Sequence, residues 1–311
     1  MASRGAVSYR ARVTPKVPWT PIDVMQILLA WMIALFIGQT AYGLLVPPRI
    51  QGTHDVMDGN KTLTVEFLSQ GRYQTDSHQG QYTFAGKPPA QDRNTLILTK
   101  ASGDTLTVKY SGTSRDRMGL VAVNMLFIHV TAILLILLLL RKYKLTWREA
   151  FGGLHPTDKV IALPILLGTL FLIPAFGLHY ISQHLVQSLG GTHETQQAVT
   201  LVARSENIAE IAIQAVSIVV FAPLAEELLF RGVIYTSIRD LGYRKIAVVA
   251  SSVMFAAIHG SLSLMLPLTV LALVLVHVYE NAKSIVAPVL MHATFNAINF
   301  ALIKLAPQMT Q

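Results

Sequence analysis

The stretch IAEIAIQAVSIVVFAPLAEELLFRG, residues 208–232, decides the fold, because it is long and apolar enough to cross a bilayer as a helix. Two adjacent glutamates and an arginine nevertheless lie in its second half. A charged side chain at the centre of a membrane helix costs about 2.5–3.5 kcal/mol even on the mildest insertion scales. Glu226, Glu227 and Arg231 therefore indicate a functional site inside the membrane.

The composition of the whole chain is that of a membrane protein. Of its 311 residues, 52% are apolar and 14% are charged, whereas a soluble domain has about 25% charged residues. The net charge of +8 could suggest a nucleic-acid partner, but the basic residues lie mainly between apolar blocks. Topology explains them better, and we expect no nucleic-acid partner. The absence of cysteine excludes disulfides, thiolate catalysis and Cys-bound metal.

The apolar blocks predict an all-α polytopic membrane protein of about seven transmembrane helices. The first block is longer than the apolar region of a cleaved signal peptide and is interpreted as a signal anchor. Pro223 interrupts the fourth block and predicts a kink or a restart of the helix there. The predicted spans are about Val24–Val46, Gly119–Leu140, Val160–Leu185, 208–238, 245–259, Leu264–Tyr279 and Ile285–Leu305.

Residues 47–118 differ from the rest, because they are polar and contain patches of alternating apolar residues. These patches are TLTVEF, QYTFAG, TLILTK and TLTVKY, with ASGD as a hairpin turn between the last two. We predict three parts: residues 1–46 as a cytoplasmic N-terminus with a signal-anchor helix, 47–118 as a small β-rich extracytoplasmic domain, and 119–311 as the transmembrane core.

The distribution of basic residues predicts the orientation, because cytoplasmic loops are enriched in Lys and Arg. With alternating spans, residues 1–22, 141–159, 238–245 and 280–284 lie on one side and carry most of the basic residues, whereas the short loops opposite carry only Arg204. We therefore expect a multi-pass protein of the plasma membrane with a cytoplasmic N-terminus and an extracytoplasmic 47–118 segment.

The charged residues of the fourth span are arranged for different roles. Glu227 and Arg231 are four residues apart, so they share a helix face in the order that favours an ion pair. Glu226 points about 100° away from that face and is left to meet other partners. Read alone, the three residues fit a buried structural triad as well as they fit a catalytic site.

Polar residues on later spans favour catalysis over the structural alternative. With helices rising 1.5 Å per residue from the predicted cytoplasmic turns, His259, His292 and Asn296 lie at depths similar to that of Glu226. A desolvated carboxylate near a histidine can act as general base on water. His and Asn donors can stabilise a tetrahedral oxyanion. These groups suit amide hydrolysis without a covalent nucleophile.

At these positions the sequence resembles the CPBP (CAAX prenyl endopeptidase and bacteriocin-processing, or Abi) family of intramembrane proteases. The family motifs Glu-Glu-x-x-x-Arg, Phe-x-x-x-His and His-x-x-x-Asn stand here, in order, as EELLFR (226–231), FAAIH (255–259) and HATFN (292–296). The resemblance covers about residues 140–305. It does not include residues 47–118, so it names no specific substrate.

The resemblance implies a role for each motif residue. Glu226 is implied as the base that activates water, with help from His259. His292 and Asn296 are implied as the oxyanion-stabilising pair, and Glu227 and Arg231 as a supporting ion pair. The implied substrate is a membrane-associated protein or peptide, because eukaryotic members cleave prenylated CAAX proteins and bacterial members include bacteriocin-processing and self-immunity proteins.

Two alternatives remain beside this glutamate-type endopeptidase. Glu226, His259 and His292 could instead hold a catalytic zinc ion, since three N/O ligands plus water form such a site. We expect no metal or other cofactor, because Glu and His can activate water unaided. The second alternative is a non-catalytic membrane scaffold or immunity protein. The sequence assigns no oligomeric state.

Overall fold

The structure is a computed structural model that describes residues 16–45, 50, 52–59, 61–86, 92–110, 119, 121–153, 160–191, 199, 202–203, 205 and 207–305. Within these residues, six helices are long and apolar enough to cross a membrane. The protein is therefore a polytopic helical membrane protein, as the sequence predicts. The six are α1 (Pro21–Leu45), α2 (Val121–Lys142), α4 (Ala162–Ser188), α5 (Ile208–Asp240), α7 (Leu262–Ala282) and α8 (Val286–Leu305).

Two further helices are shorter than these six. Helix α3 (Trp147–Phe151) begins at a capping box in which Thr146 and Glu149 exchange side-chain and backbone hydrogen bonds. Helix α6 (Arg244–Ala257) has 14 residues, so it is roughly 21 Å long and shorter than the hydrocarbon core of a bilayer. This helix corresponds to the fifth predicted span, so the number of seven spans remains a prediction.

The segment between α1 and α2 folds into a small closed barrel of six antiparallel strands. Consecutive strands pair with each other, and the first strand closes the barrel on the last through Met57 and Lys109. The strands are β1 (Gly52–Asp58), β2 (Lys61–Phe67), β3 (Arg72–Gln74), β4 (Gln79–Ala85), β5 (Asp92–Lys100) and β6 (Thr105–Lys109).

The four strands and the turn predicted in this segment are confirmed. The patches TLTVEF, QYTFAG, TLILTK and TLTVKY contribute to β2, β4, β5 and β6, and ASGD forms the turn from β5 to β6. Gly103 adopts a φ of +92° in that turn, which glycine tolerates at no steric cost. Alternating residues of the strands form the barrel core together with Ile50 and Tyr110, which flank the first and last strands. The strand residues of the core are Val56, Val65, Phe67, Tyr73, Phe84, Leu96, Leu98 and Val108.

The chain divides into two compact units, each built from several segments. The first comprises Met1–Leu28, Ala132–Thr195 and Ile218–Ala301, and the second comprises Leu29–Thr131, Gln196–Ser217 and Leu302–Gln311. The second unit contains the barrel. In it, the indole of Trp31 donates to the carbonyl of Ile128, which joins α1 to α2.

The first unit contains the membrane helices that carry the three motifs. Helices α4 and α8 approach closely at Gly168, where a Cβ atom would lie 2.5 Å from the carbonyl oxygen of Met291. Met291 and Leu275 are fully buried in the apolar cluster that joins α4, α7 and α8. Because Met291 precedes His292, this packing fixes the height and rotation of the third motif.

Candidate active site

The first motif lies on α5, whose backbone alternates between π-helical and α-helical hydrogen bonding. A π-helical segment, Ser217–Phe221, precedes the α-helical turn Ala222–Glu227, and a second π-helical segment, Leu228–Tyr235, follows it. Such π-bulges occur often at functional sites, because they re-aim side chains relative to a regular helix. The two glutamates thus lie at the junction between an α-helical turn and a π-helical segment.

Pro223 explains part of this irregularity, in agreement with the break that the sequence predicts there. Proline has no N–H, so Pro223 cannot donate to the carbonyl of Ile218, five residues earlier. The side-chain Nδ2 of Asn296 donates to that carbonyl over 3.0 Å. In a membrane, every backbone polar group needs an internal partner, so Asn296 has a structural task in addition to any chemical one.

Glu227 and Arg231 form the ion pair that their spacing predicts. Arg231 Nη1 lies 2.9 Å from Glu227 Oε1, and both side chains are fully buried. Arg231 Nη2 also donates to the carbonyl of Ala272 on α7 over 3.1 Å. Its guanidinium lies over the ring of Phe255, 4.8 Å from the ring centre. The arginine therefore connects α5, α6 and α7 around a buried charge.

The same carboxylate oxygen of Glu227 reaches the third motif. His292 Nδ1 lies 2.9 Å from Glu227 Oε1, although the two residues are 65 positions apart in the chain. A carboxylate accepts, so Nδ1 is the donor and Nε2 is the nitrogen left for other partners. Glu227 is thus bound to both Arg231 and His292.

Glu226 approaches the other nitrogen of the same imidazole. Its Oε2 lies 3.8 Å from His292 Nε2, which is too long for a direct hydrogen bond. The Glu226 side chain is 19% exposed, whereas that of Glu227 is 0% exposed. The two adjacent glutamates are therefore distinct: the side chain of Glu227 is buried and bound through Oε1, whereas that of Glu226 is partly exposed.

His259 lies in the turn after α6 rather than inside the helix. Its Nδ1 donates to the carbonyl of Phe255 over 2.8 Å, and its ring contacts the ring of Phe255 at 5.0 Å between centres. Within the described part of the chain, no hydrogen bond or ion pair joins His259 to Glu226. The same phenylalanine ring lies 5.7 Å from the ring of His292.

The zinc alternative requires Glu226, His259 and His292 around one ion. Among the residues that the structure describes, no three His, Asp or Glu side chains are grouped so that they could hold a metal. Glu226 and His292 approach each other, but His259 binds a backbone carbonyl instead. These three side chains, as the structure places them, do not form a three-ligand zinc site.

The predicted site residues therefore divide into a cluster and two neighbours. In the cluster, Glu227 binds both Arg231 and His292, and Glu226 approaches the other imidazole nitrogen of His292 at 3.8 Å. His259 is connected to this cluster through Phe255, and Asn296 lies one turn beyond His292 on α8. Phe255 was not among the predicted site residues, although its position four residues before His259 in the second motif is a signal for a side chain at the site.

Part of the chain is similar to known proteins. Residues 208–298 match the family described as Type II CAAX prenyl endopeptidase Rce1-like. UPF0177 protein YxdF of Lactococcus lactis subsp. lactis (strain IL1403) is 34% identical over 87 residues, which are 28% of this chain and 48% of that protein. The chain thus spans about half the length of this relative.

A second relative aligns over a longer segment. The UPF0177 protein in the abiGi 5'region of Lactococcus lactis subsp. cremoris is 27% identical over 179 residues, 57% of this chain and 73% of that protein. No solved structure gives a significant match. The comparisons confirm the resemblance based on the three motifs, since residues 208–298 match the model of the Rce1-like CAAX prenyl endopeptidases and a relative from the abiGi region aligns as well.

Proposed function

We propose that the protein is an intramembrane endopeptidase of glutamate type, which hydrolyses a peptide bond of a membrane-associated protein or peptide with an activated water. The observation that carries this proposal is the 3.8 Å separation between Glu226 Oε2 and His292 Nε2. A single water can lie within hydrogen-bond distance of both atoms. Glu226 is also the glutamate of the pair with an exposed fraction of its side chain.

Glu226 is the general base in this mechanism. It takes a proton from the water while the water oxygen forms a bond to the carbonyl carbon of the substrate. Glu226 then returns this proton to the amide nitrogen as the C–N bond breaks, which leaves a carboxylic acid and an amine. His259 is assigned to assist the base, through its free Nε2, once substrate fills the site.

His292 and Asn296 are assigned to the oxyanion that forms in the tetrahedral intermediate. Because Nδ1 of His292 donates to Glu227, this role uses the doubly protonated imidazole, in which Nε2 is a donor as well. They lie one turn apart on α8, so both can face one substrate carbonyl. The amide of Asn296 has two N–H groups, and the carbonyl of Ile218 takes only one of them. Preorganised donors of this kind typically contribute about 2.7–4 kcal/mol each to catalysis.

Glu227 and Arg231 are assigned a supporting role, because neither reaches solvent. Glu227 accepts from Arg231 and from His292, and Arg231 extends the connection to the backbone of α7. A fully buried, hydrogen-bonded pair holds its neighbours in one geometry and is costly to break. The pair therefore keeps the imidazole of His292 aimed at Glu226.

The proposal includes the membrane setting of the enzyme and its partners. The enzyme lies in the plasma membrane with a cytoplasmic N-terminus, seven spans and an extracytoplasmic barrel, and it works without a metal or other cofactor. The lipid bilayer and a membrane-associated substrate are its partners, and no nucleic acid takes part. The family match covers residues 208–298 and does not include the barrel. The resemblance therefore implies no role for the barrel.

The experiment that tests this function compares the termini of membrane proteins in cells that express the wild-type protein or Glu226→Gln. The proposal expects new N- and C-termini in membrane-associated proteins only with the wild type, at equal expression of the two proteins. Identical termini in both cell lines, with a phenotype retained by Glu226→Gln, would support a non-catalytic scaffold or immunity protein instead.

A further inference from the structure

The ring of Phe255 lies at the centre of the three motifs. It is fully buried, and it contacts one charged residue from the first motif and the histidines of the second and third. The guanidinium of Arg231 lies 4.8 Å from the centre of the ring. The rings of His259 and His292 lie 5.0 Å and 5.7 Å from it.

The contacts of the Phe255 ring with the arginine and with the histidines differ in geometry. An aromatic face is electron-rich and attracts a guanidinium, whereas the ring edge is positive and favours tilted or T-shaped contacts with other rings. The planes of Phe255 and His292 meet at 70°, and those of Phe255 and His259 at 53°. A branched aliphatic side chain has neither a flat face nor this charge distribution, so it cannot make the three contacts together.

The backbone of Phe255 contributes separately from its ring. Its carbonyl accepts from His259 Nδ1 over 2.8 Å, so Nδ1 carries a proton and Nε2 is left for the site. The carboxylate of Glu227 likewise accepts a hydrogen bond from Nδ1 of His292. Both histidines thus donate a hydrogen bond through Nδ1, and the ring of Phe255 lies against both imidazoles. Replacing the side chain removes the ring contacts but leaves the backbone carbonyl in place.

We propose that Phe255 is a positioning residue that sets the spacing and tilt of His259 and His292, and so holds the base-assisting and oxyanion-stabilising histidines in register. This inference rests on the proposed peptidase function and assigns no chemical step to Phe255. A displacement of about 1 Å at a catalytic group can cost about 10²-fold in rate. The loss of this ring should therefore reduce kcat more than it affects substrate binding.

Phe230 provides a matched control. It is a second buried phenylalanine, and its ring meets that of Phe255 at 5.2 Å in a T-shaped contact. Among the ring contacts of the described residues, that of Phe230 is with Phe255 and involves neither histidine. Phe255→Leu and Phe230→Leu thus remove rings of the same size from the same cluster, and both should lower thermal stability.

The experiment measures kcat and KM per folded molecule for both variants and for Phe255→Tyr, which keeps the ring. We expect kcat to fall about 10²-fold in Phe255→Leu with KM nearly unchanged, to stay near the wild-type value in Phe230→Leu, and to recover in Phe255→Tyr. Equal losses in the two leucine variants, or an unchanged kcat in Phe255→Leu, would overturn the positioning role.

A spectroscopic measurement keeps the inference testable apart from the peptidase activity. In protein labelled with ¹³C-histidine, the resonances of His259 and His292 are assigned with His259→Gln and His292→Gln. Phe255→Leu should move both resonances by more than the loss of its ring current accounts for, and Phe230→Leu should leave them near their wild-type positions. If neither moves by more than that in Phe255→Leu, the inference fails. If they do while the wild-type protein cleaves nothing, the proposed function fails and the positioning role stands.

Discussion

Glu227 on α5 and His292 on α8 are joined by a buried contact of 2.9 Å between a carboxylate oxygen and an imidazole Nδ1. The same oxygen accepts from Arg231, so one atom connects the first motif to the third. Removing this carboxylate would disturb the fold and the site together, whereas removing the carboxylate of Glu226 would disturb the site alone.

The stability of the Glu227–Arg231 pair can be tested by substitution. Glu227→Gln leaves the buried charge of Arg231 without its counter-ion, and breaking one partner of such a pair costs about 3–5 kcal/mol. We expect a lower yield and a lower Tm in detergent for Glu227→Gln and for Arg231→Gln. The double variant should recover part of the lost Tm, because it buries no uncompensated charge. A double variant less stable than either single one would contradict the pairing.

The close approach of α4 to α8 predicts a difference between two glycines of the same helix. A Cβ at Gly168 would lie 2.5 Å from the backbone oxygen of Met291, so α8 must move, and His292 moves with it. A Cβ at Gly177 meets nothing within 4 Å. Gly168→Ala should lower both Tm and peptidase activity, and Gly177→Ala should change neither. Equal activity of the two variants would show that α8 is not fixed at this crossing.

The metal-free mechanism predicts resistance to chelators. Purified protein should keep its peptidase activity after exhaustive chelation, and elemental analysis should find substoichiometric zinc. Glu and His together can activate a water through general-base catalysis. Activity that disappears with the chelator and returns with Zn²⁺ would favour the zinc-dependent alternative.

The predicted orientation can be tested with single cysteines, because the chain has none of its own. Cysteines at Ser3, Ser77 and Tyr243 sample the N-terminus, the barrel and the turn before α6. The side chains of Ser77 and Tyr243 are exposed and accessible to label. An impermeant maleimide on intact cells should label only position 77. Labelling at position 3 or 243 would overturn the orientation.

Sequence patterns located the membrane helices well, because the requirement for about 20 apolar residues is strict. They also located four of the six strands. The strands β1 and β3 were not predicted, since β3 has three residues and β1 has the polar sequence GTHDVMD. Their pairing depends on closure of the barrel, which is a long-range property that local alternation does not encode.

The site was predictable where it depends on one helix and less so where it depends on several. The spacing of Glu227 and Arg231 predicted their ion pair, which the structure contains. The contacts of His292 with both glutamates come from the packing of α8 against α5 and have no local signal. The hydrogen bond from Asn296 to the carbonyl of Ile218, 78 residues away in the chain, likewise has no local signal.

The most direct test of the proposed mechanism compares turnover by Glu226→Gln and Glu227→Gln per folded molecule. Glu226→Gln keeps the side-chain volume but removes the proton acceptor, so the protein should fold, insert and bind substrate with wild-type Tm and KM. Its kcat should fall by about 10²–10⁴-fold, the usual contribution of a general base. An unstable Glu226→Gln beside a well-folded but inactive Glu227→Gln would contradict this assignment and exchange the roles of the two glutamates.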